Sequence, residues 1–222
     1  MILHTVMRFL VHLKVVINFA MSADGKIALK SRRQTAISDE ADKKRVHELR
    51  NRSDAILVGI GTVLSDDPKL TVNEKYVERT KNPLRIVLDS RGRMPSGALV
   101  LNGAAPTLVV TSEECSKSFP NTETIRCGKG EVDLGRLLEI LEERGIQSLL
   151  VEGGSRVIWS FLEKRLADEV HMYIGSMVIG GDSAPTPAGG EGAADEGEIV
   201  ALTLKSCEAI GEGILLKYQV TR

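Results

Sequence analysis

Aromatic side chains and net charge are both scarce in this chain. Aromatics make up 4% of its 222 residues, and the formal net charge is −1. Single-stranded nucleic acid is held by stacking bases on aromatic faces and by neutralising phosphates, so both deficits argue against such a partner. Cysteine is also rare. Cys115, Cys127 and Cys207 are odd in number and form no CxxC pair. That argues against a disulfide framework or a zinc knuckle, and fits buried free thiols in a reducing cytoplasm. Long apolar runs are missing too. Met1 to Leu13 is fairly apolar, but His4, Arg8 and His12 interrupt it and no small-residue cleavage site follows. It makes a poor signal peptide, and its charge-free stretches fall well short of the ~20 residues of a membrane span. Residues 1–13 are read as an N-terminal extension without assigned function, with Met7 an alternative start, and no membrane partner is expected.

Several catalytic signatures are absent as well. His47-Glu48 has no second histidine at zincin spacing, no H-x-E precedes a PCxxC, and no GxSxG occurs. No metal is therefore expected, and a serine hydrolase or zinc deaminase is disfavoured. Gly59-Ile60-Gly61 fails the GxGxxG test because position 64 is Leu. The chemistry then falls to a bound cofactor.

What remains is an ordinary globular pattern, 42% hydrophobic and 27% charged. Residues 14–21 read as a buried strand, followed by an Asp24-Gly25 turn and a second extended piece at 27–29. Ser38 suits the N-cap of a helix to about Arg52, with Val46 and Leu49 facing inward. Strands are expected at 55–58, 84–88, 107–111, 124–127, 148–151 and 169–174, with a helical turn at 62–65. Asp133 caps a helix striped by Leu134, Leu137, Leu138 and Leu141 and closed by Gly145. Another helix runs from Ser155 to Lys164, a loop from Gly180 to Gly197, and two closing strands lie at 200–207 and 213–220. Strands alternating with helices, then two strands, indicate one α/β domain over 14–222. Its sheet is mostly parallel with an antiparallel edge.

Open parallel sheets bind ligands where their strands exit. The candidate site is thus the exits at 20–26, 59–67, 89–93, 111–112 and 152–155. Thr62 and Asp66 lie one helical turn apart and can face one ligand, although Asp66-Asp67-Pro68 equally reads as a helix stop. Glu152-Gly153-Gly154-Ser155 offers a close backbone approach and free helix N–H groups to a pyrophosphate; a plain strand-to-helix turn is the alternative. Arg50 flanks its helix's inward stripe, as a phosphate clamp or as a surface arginine. Lys26 beside its turn is either a ligand or simply exposed. Arg91 and Arg93 could neutralise a 2′-phosphate or stand in solvent.

Taken in order, these segments resemble the riboflavin-pathway reductases. The carriers are Asn18 to Lys26 (NFAMSADGK), Gly59 to Pro68 (GIGTVLSDDP) with Leu70-Thr71-Val72, Asn82 to Ser90 (NPLRIVLDS) and Leu150 to Gly154 (LVEGG). Gly180 to Thr186 and Glu191-Gly192 resemble the archaeal branch, and the likeness spans about Lys14 to Val220. The same domain forms the C-terminal half of a bacterial bifunctional deaminase–reductase. The resemblance implies a dihydrofolate-reductase-like fold, a cytoplasmic homodimer and NADPH as hydride donor, with NADH the alternative. The implied substrate is 2,5-diamino-6-ribosylamino-4(3H)-pyrimidinone 5′-phosphate, reduced to its ribitylamino form. It places NADPH on Ala20, Thr62, Asp66, Ser90, Arg91, Gly153, Gly154 and Ser155. It places substrate on Lys26, Arg50, Leu70 and Glu152, with Lys26 and Glu152 catalytic. Two departures stand out: Ala36 where the bacterial enzymes carry tryptophan on the cofactor, and Asn73 where they carry arginine. The second leaves Arg50 and Lys26 as the cations for the phosphate. Rival readings are a reductase of the deaminated pyrimidine or of dihydrofolate, and a non-catalytic NADP-binding module.

Overall fold

The computed structural model describes residues 12–31, 35–78, 82–120 and 122–221. Its elements run β1 (Lys14–Ser22), α1 (Glu40–Arg52), β2 (Ala55–Gly59), α2 (Ile60–Asp66), β3 (Leu84–Leu88), β4 (Thr107–Thr111) and β5 (Glu123–Arg126). There follow α3 (Leu134–Glu143), β6 (Ser148–Val151), α4 (Ser155–Glu163), β7 (Glu169–Gly175), β8 (Leu202–Ile210) and β9 (Gly213–Val220). The sheet order is β5-β4-β3-β2-β6-β1-β7-β9-β8. All pairings from β5 to β7 are parallel, and β7-β9 and β9-β8 are antiparallel. The α/β architecture expected from the alternation of strands and helices is the one found.

Strands covered on both faces must be apolar throughout, and every residue of β2 (AILVG) and β4 (TLVVT) is buried. Their side chains alternate between two cores. Ala55 and Leu57 join Leu137 and Leu141 of α3 and Phe161 of α4 on one face. Ile56 and Val58 join Val63 of α2, Leu70 and Leu49 of α1 on the other. The chain steps outward from β2 to β5, returns to insert β6 between β2 and β1, then adds β7 beyond β1. That reversal makes the β2–β6–β1 exits the topological switch point, where open sheets form a crevice.

Several local expectations are corrected. Residues 27 and 28 form a bend where an extended piece was expected; the Ile27 N–H donates to the Pro185 carbonyl, so this piece is tied to a loop and has no strand neighbour. The N-cap of α1 is Asp39, whose carboxylate accepts from the Asp42 N–H, while the Ser38 hydroxyl donates to the Asp42 side chain. The buried residue of α1 is Asp42, held by Arg45 Nε at 2.7 Å; Val46 and Leu49 are only half-buried. The helical turn at 62–65 is a longer helix, and β8 begins and ends later than its apolar pattern suggested. Of the three thiols Cys127 alone is buried, Cys115 is half-buried, and Cys207 is exposed on the edge strand. The 180–197 loop is irregular apart from a 3₁₀ turn at Glu196–Glu198. Residues 1–11 of the N-terminal extension lie outside the described residues, and Leu13 is buried in the core.

Candidate active site

The crevice at the switch point has two walls of different construction. One is backbone. β6 leaves the sheet at Glu152, whose N–H donates to the Leu57 carbonyl, and the chain turns through Gly153 (φ 122°) and Gly154 (φ 75°). Both angles are in the left-handed region that favours glycine. The Gly153 carbonyl accepts from the Gly59 N–H, which ties this turn to the β2 exit. α4 starts at Ser155 with Gly154 as a cap that has no side chain, so its first N–H groups stay available. A Cβ on Gly154 would stand 3.5 Å from Thr62 Oγ1, so Thr62 and the glycine turn converge. A Cβ on Gly153 or Gly61 would meet nothing within 4 Å, leaving room for a ligand to approach. Asp66 closes α2 one turn after Thr62, and burial pushes its carboxyl pKa up against a weaker opposing bond from Ser65. Ser155 also meets the 180–197 loop: its carbonyl accepts from the Gly189 N–H, and its hydroxyl lies where a Gly189 Cβ would be.

The other wall is made of side chains. Arg50, near the end of α1, grips Glu152 through two parallel bonds, Nε to Oε1 at 2.9 Å and Nη2 to Oε2 at 2.6 Å. Such a fork fixes both groups in position. Arg50 Nη1 donates to the Thr71 carbonyl at 3.2 Å, so the same guanidinium anchors the following segment. Burial opposes the Arg50 charge, but the adjacent Glu152 carboxylate outweighs it and the pKa rises. Beside the pair lies a groove of about 520 Å³ lined by His47, Arg50, Lys69, Leu70, Thr71 and Asn73, among others. Leu70 is buried at φ 50°, an unfavourable angle for a bulky residue. The fully buried Arg85 holds it there, with Nη1 on the Lys69 carbonyl and on Asn102 and Nη2 on the Ala105 carbonyl. His47 Nδ1 accepts from the Asn73 N–H at 3.1 Å, and its pKa is lowered, first by burial and then by Arg50.

The remaining candidates sit around these walls. Ala20 is half-buried on β1, beside Tyr173 of β7. By register β1 continues four residues past the level of Glu152 to Ser22, roughly 13 Å at the strand rise. The turn bearing Lys26 therefore overhangs the crevice, and Lys26 is not among the groove-lining residues. Asp24 braces that turn by accepting from the Ser22 hydroxyl and from the Ile179 and Gly180 N–H groups; these bonds, Ser22 foremost, pull its pKa down to about 2. Ser90 follows β3, with its hydroxyl accepting from the Val132 N–H and its carbonyl from the Ser112 hydroxyl. Arg91 and Arg93 are exposed beside it, and Ala36 is exposed before α1.

A crevice of this kind in a β2–β6–β1 switch can be compared with known families. The model of the RibD C-terminal domain matches residues 13–216. This chain belongs to the RibD C-terminal domain family. A Methanothermobacter thermautotrophicus relative named 2,5-diamino-6-ribosylamino-4(3H)-pyrimidinone 5′-phosphate reductase is 42% identical, covering 93% of this chain and 97% of its own. One from Archaeoglobus fulgidus with the same name is 40% identical, covering 94% and 98%. Among solved structures, the Thermotoga maritima deaminase/reductase matches with TM-score 0.80 at 31% identity over 95% of this chain and 57% of that one. The yeast reductase Rib7 matches with TM-score 0.73 at 25% identity, covering 95% and 91%. Enterococcus faecalis dihydrofolate reductase, at TM-score 0.50 and 10% identity over 94% of this chain and 97% of that one, shares the fold alone. The expected dihydrofolate-reductase-like fold and the expected family are therefore those observed.

Sequence reasoning within this RibD-type domain missed three contributors. Arg85 carried a signal, as a lone cation inside the apolar strand LRIVL. Asp24 read only as part of a tight turn and His47 carried no signal, because the loop amides they bind lie 155 and 26 residues away.

Proposed function

We propose that this chain is a cytoplasmic reductase of riboflavin biosynthesis. It acts on 2,5-diamino-6-ribosylamino-4(3H)-pyrimidinone 5′-phosphate with NADPH as donor. The observation that carries the reading is the Arg50–Glu152 fork. It places a fixed carboxylate immediately before the Gly153-Gly154 turn, so a substrate anchor and a phosphate cradle adjoin. The relatives' names and the family match point the same way. No described helix is long and apolar enough to cross a membrane.

The residues fit a dinucleotide. The open space over Gly153 and the uncapped N–H groups of α4 suit its pyrophosphate, and Thr62, Asp66, Ser90 and Arg91 would hold its nucleoside portion. When bound, NADPH would supply a hydride to C1′ of the ribosylamine in its ring-opened imine form, the imine nitrogen taking a proton from solvent. The protein's own work is positioning. Arg50 holds the Glu152 carboxylate, whose unused lone pairs accept from substrate amino or hydroxyl groups. Leu70 and Val72 are buried and exclude water from that wall, and Lys26, on the overhanging turn, would reach the sugar. The exposed Leu202, Leu204 and Ile214 lie on one face of the β8–β9 hairpin, and we assign this face to a homodimer contact.

Loss of reduced-nicotinamide absorbance tests the reading directly. Oxidation should be fastest with the ribosylamino pyrimidine phosphate, and slower with its deaminated counterpart or dihydrofolate. NADPH binding without oxidation in the presence of all three would overturn it, as would preference for another of them.

A further inference from the structure

We propose that Lys117 is a positioning residue for the cofactor: it holds the loop after β3 so that Arg91 and Arg93 meet a 2′-phosphate, and the preference for NADPH over NADH depends on it. The assignment rests on the function proposed above. The two dinucleotides differ by that one phosphate, so whatever tells them apart must offer it donors or positive charge. β6, β2 and β3 are neighbours in that order, which puts the β3 exit two strand spacings, roughly 10 Å, from the Gly153-Gly154 turn. The adenosine half of a dinucleotide whose pyrophosphate lies at that turn spans such a distance. Arg91 and Arg93 stand there, exposed and with no hydrogen bond or ion pair among the described residues. Between them Gly92 is buried at φ 64°, so the backbone beneath the two cations is a tight turn. Asp89 closes that turn from one side: its carbonyl accepts from the Gly92 N–H, and its carboxylate from the Met94 N–H at 2.8 Å. Lys117 closes it from the other. Its Nζ donates to the Gly92 carbonyl at 2.8 Å and to the Met94 carbonyl at 3.0 Å. Gly92 and Met94 are both buried, so without the ammonium these carbonyls would lose their donor away from water. Lys117 is fixed in its turn. Arg126 of β5 donates to the Cys115 carbonyl at 2.7 Å and to the Lys117 carbonyl at 3.2 Å, and the ammonium lies 5.0 Å from the centre of the Phe119 ring. A Cβ on Gly92 would stand 2.9 Å from Cys115 Sγ and 3.0 Å from Lys117 Cβ, so the loop and this segment pack without a gap. Lys117 thereby couples the β4–β5 connection to the aim of the two arginines.

The test measures KM for NADPH and for NADH in the wild type, Lys117→Met and Lys117→Arg, with the ribosylamino pyrimidine phosphate as acceptor. Methionine keeps the apolar stem and removes the donors. Misaligned bonds to a charged group predict that Lys117→Met raises KM for NADPH about tenfold. The KM for NADH and both kcat values should hold, and Lys117→Arg, which keeps N–H donors, should recover part of the preference. In a chain already carrying Arg91→Ala and Arg93→Ala, Lys117→Met should change the preference no further. A residual effect there would mean that the ammonium meets the phosphate itself, and would overturn the positioning role. Equal rises with both dinucleotides would make Lys117 a plain structural brace, and a wild type indifferent to the phosphate would leave it nothing to position; either result overturns the proposal. Calorimetric titration with 2′,5′-ADP and with 5′-AMP reads the same discrimination without turnover. The wild type should bind 2′,5′-ADP more tightly, and Lys117→Met should lose that margin. If this holds while no NADPH is oxidised, the proposed reaction alone fails and the role of Lys117 stands. Equal binding of the two nucleotides by the wild type overturns it.

Discussion

The two walls of the crevice solve recognition in opposite ways. The β2–β6 wall uses backbone: a double-glycine turn at φ 122° and 75°, and an uncapped helix start. The α1 wall uses side chains: a carboxylate and a guanidinium joined across 102 residues of sequence, with Arg85 bracing the segment beyond them. A backbone wall needs no neighbour to aim it, since its donors are fixed by φ and ψ. A side-chain wall must have its charges partnered, or each would be buried alone at a large cost. The first should therefore tolerate loss of side chains and fail on gain of a methyl group. The second should fail on loss of a single partner.

The largest effect is expected from Glu152→Ala. It leaves the Arg50 guanidinium without its carboxylate in a site where the two side chains are 19% and 9% exposed. Stranding one member of such a pair costs on the order of 3 kcal/mol. For a domain of this size that lowers Tm by about 6–12 °C in a calorimetric scan. Turnover should be lost as well. The double change Arg50→Met with Glu152→Leu sharpens the comparison, because it removes both charges. Stability should return while activity does not. If Glu152→Ala leaves Tm unmoved, the pair is not the organiser of this wall.

Next comes Gly153→Ala on the backbone wall. The new Cβ meets no protein atom within 4 Å, so the cost to the free protein is backbone strain at φ 122°, about 1–3 kcal/mol. Its larger effect falls on the dinucleotide, whose phosphates would approach that backbone, with KM for NADPH rising by about tenfold. Gly145→Ala is the control. It carries a similar strain at φ 79° with nothing within 4 Å, but lies beyond the end of α3. It should lower stability and leave KM alone. Equal KM effects at both positions would break the distinction between the walls.

The same contrast explains what the sequence revealed. The backbone wall was legible because glycines and strand exits are local signals: Gly59 to Asp66 and Glu152 to Ser155 each read as a turn between a strand and a helix. The parallel strands were legible because burial on both faces leaves runs such as AILV and TLVV. The side-chain wall was not. Arg50 read as a phosphate clamp or a surface arginine, and resemblance put it and Glu152 near one substrate, but their mutual fork was hidden because nothing in either neighbourhood announces the other. α1 was misread for a related reason. A buried Asp42 held by Ser38 and Arg45 looks in sequence like an ordinary solvated helix start. The bend at 27–28 was read as an extended piece because its contact, the Pro185 carbonyl, is supplied from far along the chain.

Asp24 offers the finest test, because there a side chain performs a backbone's task. Its two oxygens take the Ile179 and Gly180 N–H groups, 3.0 and 2.7 Å away, and so fasten the 176–185 loop to the turn that carries Lys26. The Ser22 hydroxyl, then these amides, lower its pKa from 3.8 to about 2. The folded state therefore favours the carboxylate. Its contribution is complete above the unfolded value near 3.8 and fades as pH falls through about 2. Asp24→Asn removes the charge and one acceptor. At pH 6 the Ile179 and Gly180 amides should then exchange a few-fold faster than in the wild type. Toward pH 2 the two proteins should converge, once the known acid slowing of exchange is corrected for. A variant that exchanges like the wild type at pH 6 would mean the loop is held by its other contacts, Ala23 to Met177 and Ile27 to Pro185, which are backbone bonds. The overhang would then belong with the backbone wall.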